Sequence, residues 1–250
     1  FQAPTIRQLA AQIEDRRRAA GFENCGALIE IQPGDSLPVL FATAGGVGVE
    51  EELLLYGALA PHLQCDLPIA GFGSGSLDEQ PPSNFEALVE RNLTELRKRQ
   101  PAGPYIIIGE CISGVVAFEM ARRLAEAGEQ VARLILLDAK CPDESDLEWQ
   151  RGRGFKELEE IQGLDRARKI QSYYLNVLGH HPGAFEGPVD MVVVKESRDR
   201  FGETLGWRPH LRGAYRVHLV PGDHDSYIRE HNVDLAKRLG AILADVLATL

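Results

Sequence analysis

The sequence predicts an α/β fold built on a mostly parallel central sheet. Two observations carry that reading. Short continuous apolar runs recur along the chain, as expected of strands covered on both faces, and helical segments separate them. Strands that alternate with helices are joined by crossovers into a parallel sheet. The strand candidates, in order, are residues 28–31, 39–42, 68–71, 105–108, 133–137, 190–194 and 215–220. Among the helices, one opens at Ser83, with Glu86 three residues on as a capping box, and runs to about Arg99. A second covers residues 112–127. The last carries Leu235, Leu239, Ile242 and Val246 at helical spacing.

The chain has 250 residues, 44% of them apolar, enough to bury one sizeable core. Its 27 basic and 37 acidic side chains leave a net charge of −10, which argues against nucleic acid or an anionic membrane as partner. The apolar runs are too short to span a bilayer, and "FQAPTIRQLA" lacks the layout of a signal peptide. Cys25, Cys65, Cys111 and Cys141 form no CxxC pair or metal spacing, so free thiols in a reducing cytoplasm are expected, with no metal.

Two segments break the alternation. Residues 142–187 are too long for a plain connection and intersperse charges with Trp149, Phe155, Leu158, Ile161, Tyr173, Tyr174 and Leu178. They read as two or three helices at the sheet's edge, placed to act as a lid. Residues 1–22 form an amphipathic helix and basic tail outside any strand–helix unit. The expected division is therefore a tail at 1–22 and one domain at 23–250.

The chemistry concentrates at "YIIIGECISGVVAFEMARRL". An apolar strand runs into Gly109-Glu110-Cys111-Ile112-Ser113-Gly114, and a helix follows at once. This is the strand–turn–helix context of the G-x-S-x-G nucleophile elbow of α/β hydrolases, with sulfur in place of oxygen. A cysteine at a helix N-terminus is favoured as thiolate, and the N–H of Ile112 can hold an oxyanion. A second oxyanion donor is expected from "FATAGGVG", at Gly46, with Gly45 and Val47 beside it.

A thiol that ionises near 8.5 needs a base. The order nucleophile, acid, histidine fits Cys111, then Asp138 at the end of "LILLDA", then His224 in "VPGDH" after the last strand. Asp138 would fix the imidazole and His224 would take the thiol proton. Glu196 or Asp199, after "DMVVV", is the alternative acid. His62, His180, His181, His210, His218 and His231 are read as surface or packing residues. Asp223 and Asp225 are expected to face water, and Glu110 to be solvated or paired with the lid.

These motifs together resemble the thioesterase domains that end nonribosomal peptide and polyketide synthetases. The likeness spans "LFATAGG", "YGALAPHL", "PIAGF", the elbow with "AFEMA" and "LLD", Gly206-Trp207 and "VPGDH". It implies an α/β-hydrolase fold with a helical lid and an acid after the strand that ends at Asp138. "FQAPTIRQLAAQIE" resembles the end of a carrier protein's last helix. That implies a releasing domain fed by an upstream peptidyl carrier, with its substrate on the carrier's 4'-phosphopantetheine and no cofactor of its own. Cysteine-bearing relatives are associated with β-lactam and β-lactone rings, so cyclising release is expected, β-lactam before β-lactone. Hydrolytic release of a linear peptide, a stand-alone hydrolase resembling dienelactone hydrolases, and a non-catalytic docking module stay open as alternatives. So does a cysteine engineered in place of serine.

Overall fold

A computed structural model of the chain describes residues 28–43, 53–74 and 81–250. The tail at 1–22, Cys25 and the glycine loop with Gly45, Gly46 and Val47 lie outside the described residues. One seven-stranded sheet runs in the order β1–β3–β2–β4–β5–β6–β7. Its strands are β1 (Leu28–Gln32), β2 (Leu40–Thr43), β3 (Ile69–Phe72), β4 (Tyr105–Glu110), β5 (Val131–Leu137), β6 (Val189–Val194) and β7 (Tyr215–Val220). β1 pairs antiparallel with β3, and all other neighbours pair parallel. Every strand expected from the sequence is present, with ends displaced by a residue or two. The displacement that matters is in β4, which continues through Gly109 and Glu110.

The helices are α1 (Leu53–Leu59), α2 (Phe85–Arg99), α3 (Ser113–Glu126), α4 (Glu144–Trp149), α5 (Phe155–Gln162), α6 (Leu164–Leu178), α7 (Lys195–Phe201) and α8 (Asn232–Leu247). The sequence reading did not anticipate α1 or α7. The cap of α2 also differs from expectation. Asn84, not Ser83, is the N-cap, and its side chain accepts from the Ala87 N–H at 2.8 Å. With the cap at Asn84, the third helical position falls on Ala87, so Glu86 cannot close a capping box. The buried face Phe85, Leu88, Val89, Leu93, Leu96 sets that phase.

The sheet separates two apolar clusters. Tyr105 and Ile107 of β4 point into one, with α2, α3 and α6. Ile106 and Ile108 point into the other, with α1 and α8. Alternate residues of one strand thus feed opposite cores, which explains the unbroken apolar runs. Residues 142–187 contain three helices, α4 to α6. Asp143 and Asp146 close a capping box at the start of α4, and a π-helical turn, Gln150–Gly154, joins α4 to α5. α6 lays its buried face of Ala167, Ile170, Tyr173 and Val177 on the domain, packing against α2 and α3. Among the described residues, no helix is long and apolar enough to cross a membrane.

Chain connectivity reverses between β2 and β4. From β2 the chain moves outward to β3, then returns to the far side of β2 as β4. Open α/β sheets gather ligand sites at the carboxyl ends of strands beside such a reversal. The turn after β4 carries Cys111.

Candidate active site

Cys111 sits at φ +50° between β4 and α3. A side chain in the left-handed region is uncommon, and it persists only where the surroundings over-determine it. Here the neighbours do so. A Cβ on Gly109 would lie 2.8 Å from the Ser113 carbonyl and 2.7 Å from Ala117 Cβ. A Cβ on Gly114 would lie 2.3 Å from Ala139 Cβ. Both glycines let α3 close down on the ends of β4 and β5. Ser113 stands where the elbow pattern has glycine, and its hydroxyl is fully buried and used. Its Oγ accepts from the Glu110 N–H at 3.1 Å and lies 2.9 Å from the Thr43 carbonyl oxygen. Thr43 Oγ1 in turn donates to the Ser113 carbonyl at 3.0 Å. The elbow is therefore tied to the end of β2, where the glycine loop begins.

His224 lies in a turn after β7 that Asp223 organises. The Asp223 carboxylate accepts from the N–H groups of Asp225 and Ser226 and from the Ser226 hydroxyl. Asp223 and Asp225 are exposed, as expected. The turn carries the half-buried imidazole to Cys111, with Nε2 3.2 Å from Sγ. On its other side Nδ1 lies 2.6 Å from Asp138 Oδ2.

Asp138 is buried at the end of β5 with φ +42°. Its Oδ1 accepts the Val194 N–H at 3.0 Å, and its Oδ2 also accepts the Ser197 hydroxyl at 2.7 Å. Trp207, fully buried, donates from Nε1 to the Ala139 carbonyl at 2.8 Å and stacks on Phe118. It steadies the backbone next to Asp138. The carboxylate that meets the imidazole is thus that of Asp138. Glu196 is exposed and lines the cavity wall, and Asp199 is paired with Lys195 and Arg198. Ser197, on the unanticipated α7, is the contact the sequence reading missed.

The electrostatics follow from these contacts. The negative charge of the Cys111 thiolate is the largest influence on His224 and holds its pKa well above the ordinary imidazole value. Burial opposes it, while the hydrogen bonds to Asp138 and Cys111 and the charge of Glu110 add to it. The attraction is reciprocal, so the imidazolium favours the thiolate. Burial pushes the Cys141 thiol up to about 11 and raises Cys65 as well. Cys65 and Cys141 thus share a shift that works against their thiolates. The N–H of Ile112 has no partner among the described residues and lies at the start of α3.

Glu110 corrects an expectation. It is neither solvated nor paired with the lid. Following Ile106 and Ile108, its side chain falls on the α8 face of β4 and is 7% exposed. Tyr227 Oη donates to its Oε1 at 3.2 Å. A carboxylate oxygen of Glu110, Cys111 Sγ and a ring nitrogen of His224 all lie within 4.8 Å of one another.

A cavity of about 300 Å³ opens onto Cys111, Ile112 and His224. Its walls are Trp149, Tyr174, Leu178, Phe201 and Leu205, with Lys140 and Arg200 as cations. Lys140 is held by Asp143 and Asp146. Helices α4 and α6 supply one side of this wall, so the 142–187 segment covers the site. The remaining histidines serve packing and surface roles where contacts are seen. His180 stacks on Phe85, and His218 meets the buried carboxylate of Asp190.

The Thioesterase domain family profile matches residues 39–243. The chain belongs to the thioesterase family. The thioesterase is 31% identical over 186 residues to CymA of Salinispora arenicola (strain CNS-205), described as a non-canonical nonribosomal peptide synthetase, covering 74% of this chain and 2% of that protein. Among solved structures it resembles the NocB thioesterase domain in covalent complex with a fluorophosphonate nocardicin G analog. The TM-score is 0.69 at 23% identity, covering 88% of this chain and 99% of that one. It also resembles part of AB3403, a four-domain nonribosomal peptide synthetase bound to AMP and glycine. There the TM-score is 0.73 at 21% identity, over 96% of this chain and 22% of that one. These likenesses establish the α/β-hydrolase-type thioesterase fold. The thioesterase spans only a few per cent of its curated synthetase relative.

Proposed function

We propose that this thioesterase takes a peptidyl chain from the phosphopantetheine of a carrier domain onto Cys111 and releases it by internal attack. The observation that carries the reading is the unbroken line Cys111 Sγ, His224, Asp138 at a strained strand–helix turn beneath a cavity. The reading is supported by the likeness to a nonribosomal peptide synthetase and to the NocB thioesterase domain in covalent complex with a fluorophosphonate nocardicin G analog.

In the first half-reaction the Cys111 thiolate attacks the thioester carbonyl. Negative charge moves to the carbonyl oxygen, which the Ile112 N–H would receive, with Gly46 as the expected second donor. The tetrahedral species collapses, the carbon–sulfur bond to pantetheine breaks, and the departing sulfur takes the proton from His224 Nε2. In the second, His224 accepts a proton from a nitrogen or hydroxyl of the bound chain. That atom attacks the carbonyl, and the bond to Cys111 breaks. Asp138 holds the imidazole in the orientation both steps need.

Sulfur favours this outcome. An oxygen ester on serine is less activated than the incoming thioester, whereas exchange onto Cys111 keeps a thioester. Thioesters also favour nitrogen over water as attacker. A strained ring is then within reach, a β-lactam first and a β-lactone next. Residues 142–187 are suited to hold water off while the chain folds back.

The test is to supply carrier-loaded candidate peptides and weigh the products. Release of a product lighter than the acid by one water, through an acyl adduct on Cys111, is expected. An adduct on Cys65 or Cys141 with Cys111 untouched would overturn the reading, and a product of the acid's mass would replace cyclisation by hydrolysis.

A further inference from the structure

The buried carboxylate of Glu110 has no part in the mechanism above, yet it lies against the reacting pair. It is not among the residues that line the cavity. It approaches from the α8 side of the sheet, within 4.8 Å of Cys111 Sγ and of a His224 ring nitrogen. Tyr227 fixes it there: its hydroxyl reaches both Glu110 Oε1 and the Leu137 carbonyl, and its ring stacks on His224 at 6.3 Å between centroids. Tyr227 is itself fully buried, and burial together with Glu110 keeps its hydroxyl protonated, so it remains a donor.

We propose that Glu110 is a second positioning carboxylate for His224, serving release of the acyl chain rather than its loading. The inference rests on the functional reading above.

The two half-reactions see Glu110 with opposite sign. In the free enzyme a carboxylate beside the thiolate is repulsive, so Glu110 works against the ionised sulfur. Once Cys111 is acylated, that sulfur carries no charge, and the strongest influence favouring imidazolium disappears. Among the described residues, the carboxylates left beside the ring are those of Asp138 and Glu110. Lys140, Arg200, Asp146 and Glu196 line the same cavity as His224, and Lys140 is already matched by Asp143 and Asp146. A base backed by two carboxylates draws a proton from a weakly acidic nucleophile better than a base backed by one. The ring closures expected here use such nucleophiles. The atoms balance without a further reactant. The proton passes from the attacking N–H or O–H to His224 Nε2, and the released Cys111 sulfur forms the resting ion pair again.

The experiment uses the chain with Glu110→Gln, an isostere that still accepts from Tyr227, and with Glu110→Met should Gln fail to fold. Cys111 is loaded from a dipeptidyl pantetheine thioester. Loss of the adduct into methanol, whose own ionisation is out of range, is followed by intact mass from pH 5 to 9, a window set about the ordinary imidazole value of ~6.5. The expected result is a rise with pH displaced downward by about one unit, with a plateau about threefold lower from the weaker base. In the same variant, alkylation of free Cys111 by iodoacetamide sets in at lower pH than in the unaltered chain. A merely structural role would slow both steps and leave the pH profile in place, and that outcome overturns the proposal. Should the unaltered chain form no adduct on Cys111, the functional reading falls and this inference with it.

Discussion

His224 Nε2 stands 3.2 Å from Cys111 Sγ, although 113 residues separate the two in the chain. The contact makes an ion pair available, and its pH behaviour follows from the sign of the shift. The imidazole pKa is raised, so the proton stays on His224 as pH climbs past its ordinary ~6.5, and the thiolate persists beside it. The pair is lost at low pH, when the sulfur takes a proton. In a Cys25→Ser background, iodoacetamide at pH 6.5 is expected to label Cys111 at least roughly tenfold faster than Cys65 or Cys141. Burial raises the pKa of both other thiols. His224→Ala should bring Cys111 down to the rate of an ordinary thiol. Peptide mapping by mass spectrometry reads the site, and equal labelling of all three would refute the ion pair.

The acid can be assigned by exchange of one atom. Asp138→Asn keeps the shape of the side chain but turns one of its two acceptor oxygens, Oδ1 serving Val194 and Oδ2 serving Ser197 and His224, into a donor. The imidazole then loses its tautomeric and orientational constraint. Acylation is expected to fall roughly a hundredfold or more. Glu196→Gln removes an exposed charge and should change the rate less than about twofold. Single-turnover acylation by a pantetheine thioester compares them. The reverse ranking would move the role to Glu196.

Much of this was readable in advance, for identifiable reasons. The strands of a doubly covered sheet announce themselves as apolar runs, and the elbow is a local pattern of small residues. The line from Cys111 through His224 to Asp138 could be sought because chain order orders the loops along the sheet edge. Ser197 could not, since its bond to Asp138 depends on β5 and β6 lying side by side, 59 residues apart in the chain. Helix α7 was hidden for a related reason: "KESRD" is polar and too short to show a helical period. Glu110 was legible but overlooked. Counting by twos from Ile106 and Ile108 puts it on a buried face. Residue type alone suggests a solvated charge; position in the pleat decides instead.

The elbow's glycines make a stability prediction. A methyl on Gly114 would meet Ala139 Cβ at 2.3 Å, and the obstacle is fixed by backbone on both sides. Gly114→Ala is expected to cost about 1–3 kcal/mol in urea unfolding. Adding Ala139→Gly removes the clashing carbon and should restore most of that loss. Failure of the second substitution to rescue the first would mean that the packing at Gly114 is not what holds α3 in place. Activity should follow the same order, because Ile112, whose N–H is the proposed oxyanion donor, is the N-cap of α3.

Ser113 gives the last prediction. Its hydroxyl joins the Glu110 N–H to the Thr43 carbonyl, and Thr43 Oγ1 returns a bond to the Ser113 carbonyl. Every partner is buried, so breaking the network leaves unpaired groups that water cannot reach. Ser113→Ala should destabilise by about 1–3 kcal/mol, and Thr43→Val by a similar amount. The two side chains also touch at 3.2 Å between hydroxyl oxygens. The double variant should therefore lose less than the sum, with a coupling of about 1 kcal/mol. Thr43 ends β2, and the loop proposed to supply the second oxyanion donor begins just beyond it. Both variants should consequently slow acylation more than thiolate formation, a difference visible as reduced turnover with unchanged iodoacetamide labelling. Simple additivity of the two stability losses would mean that Ser113 steadies only its own turn and does not tie the elbow to β2.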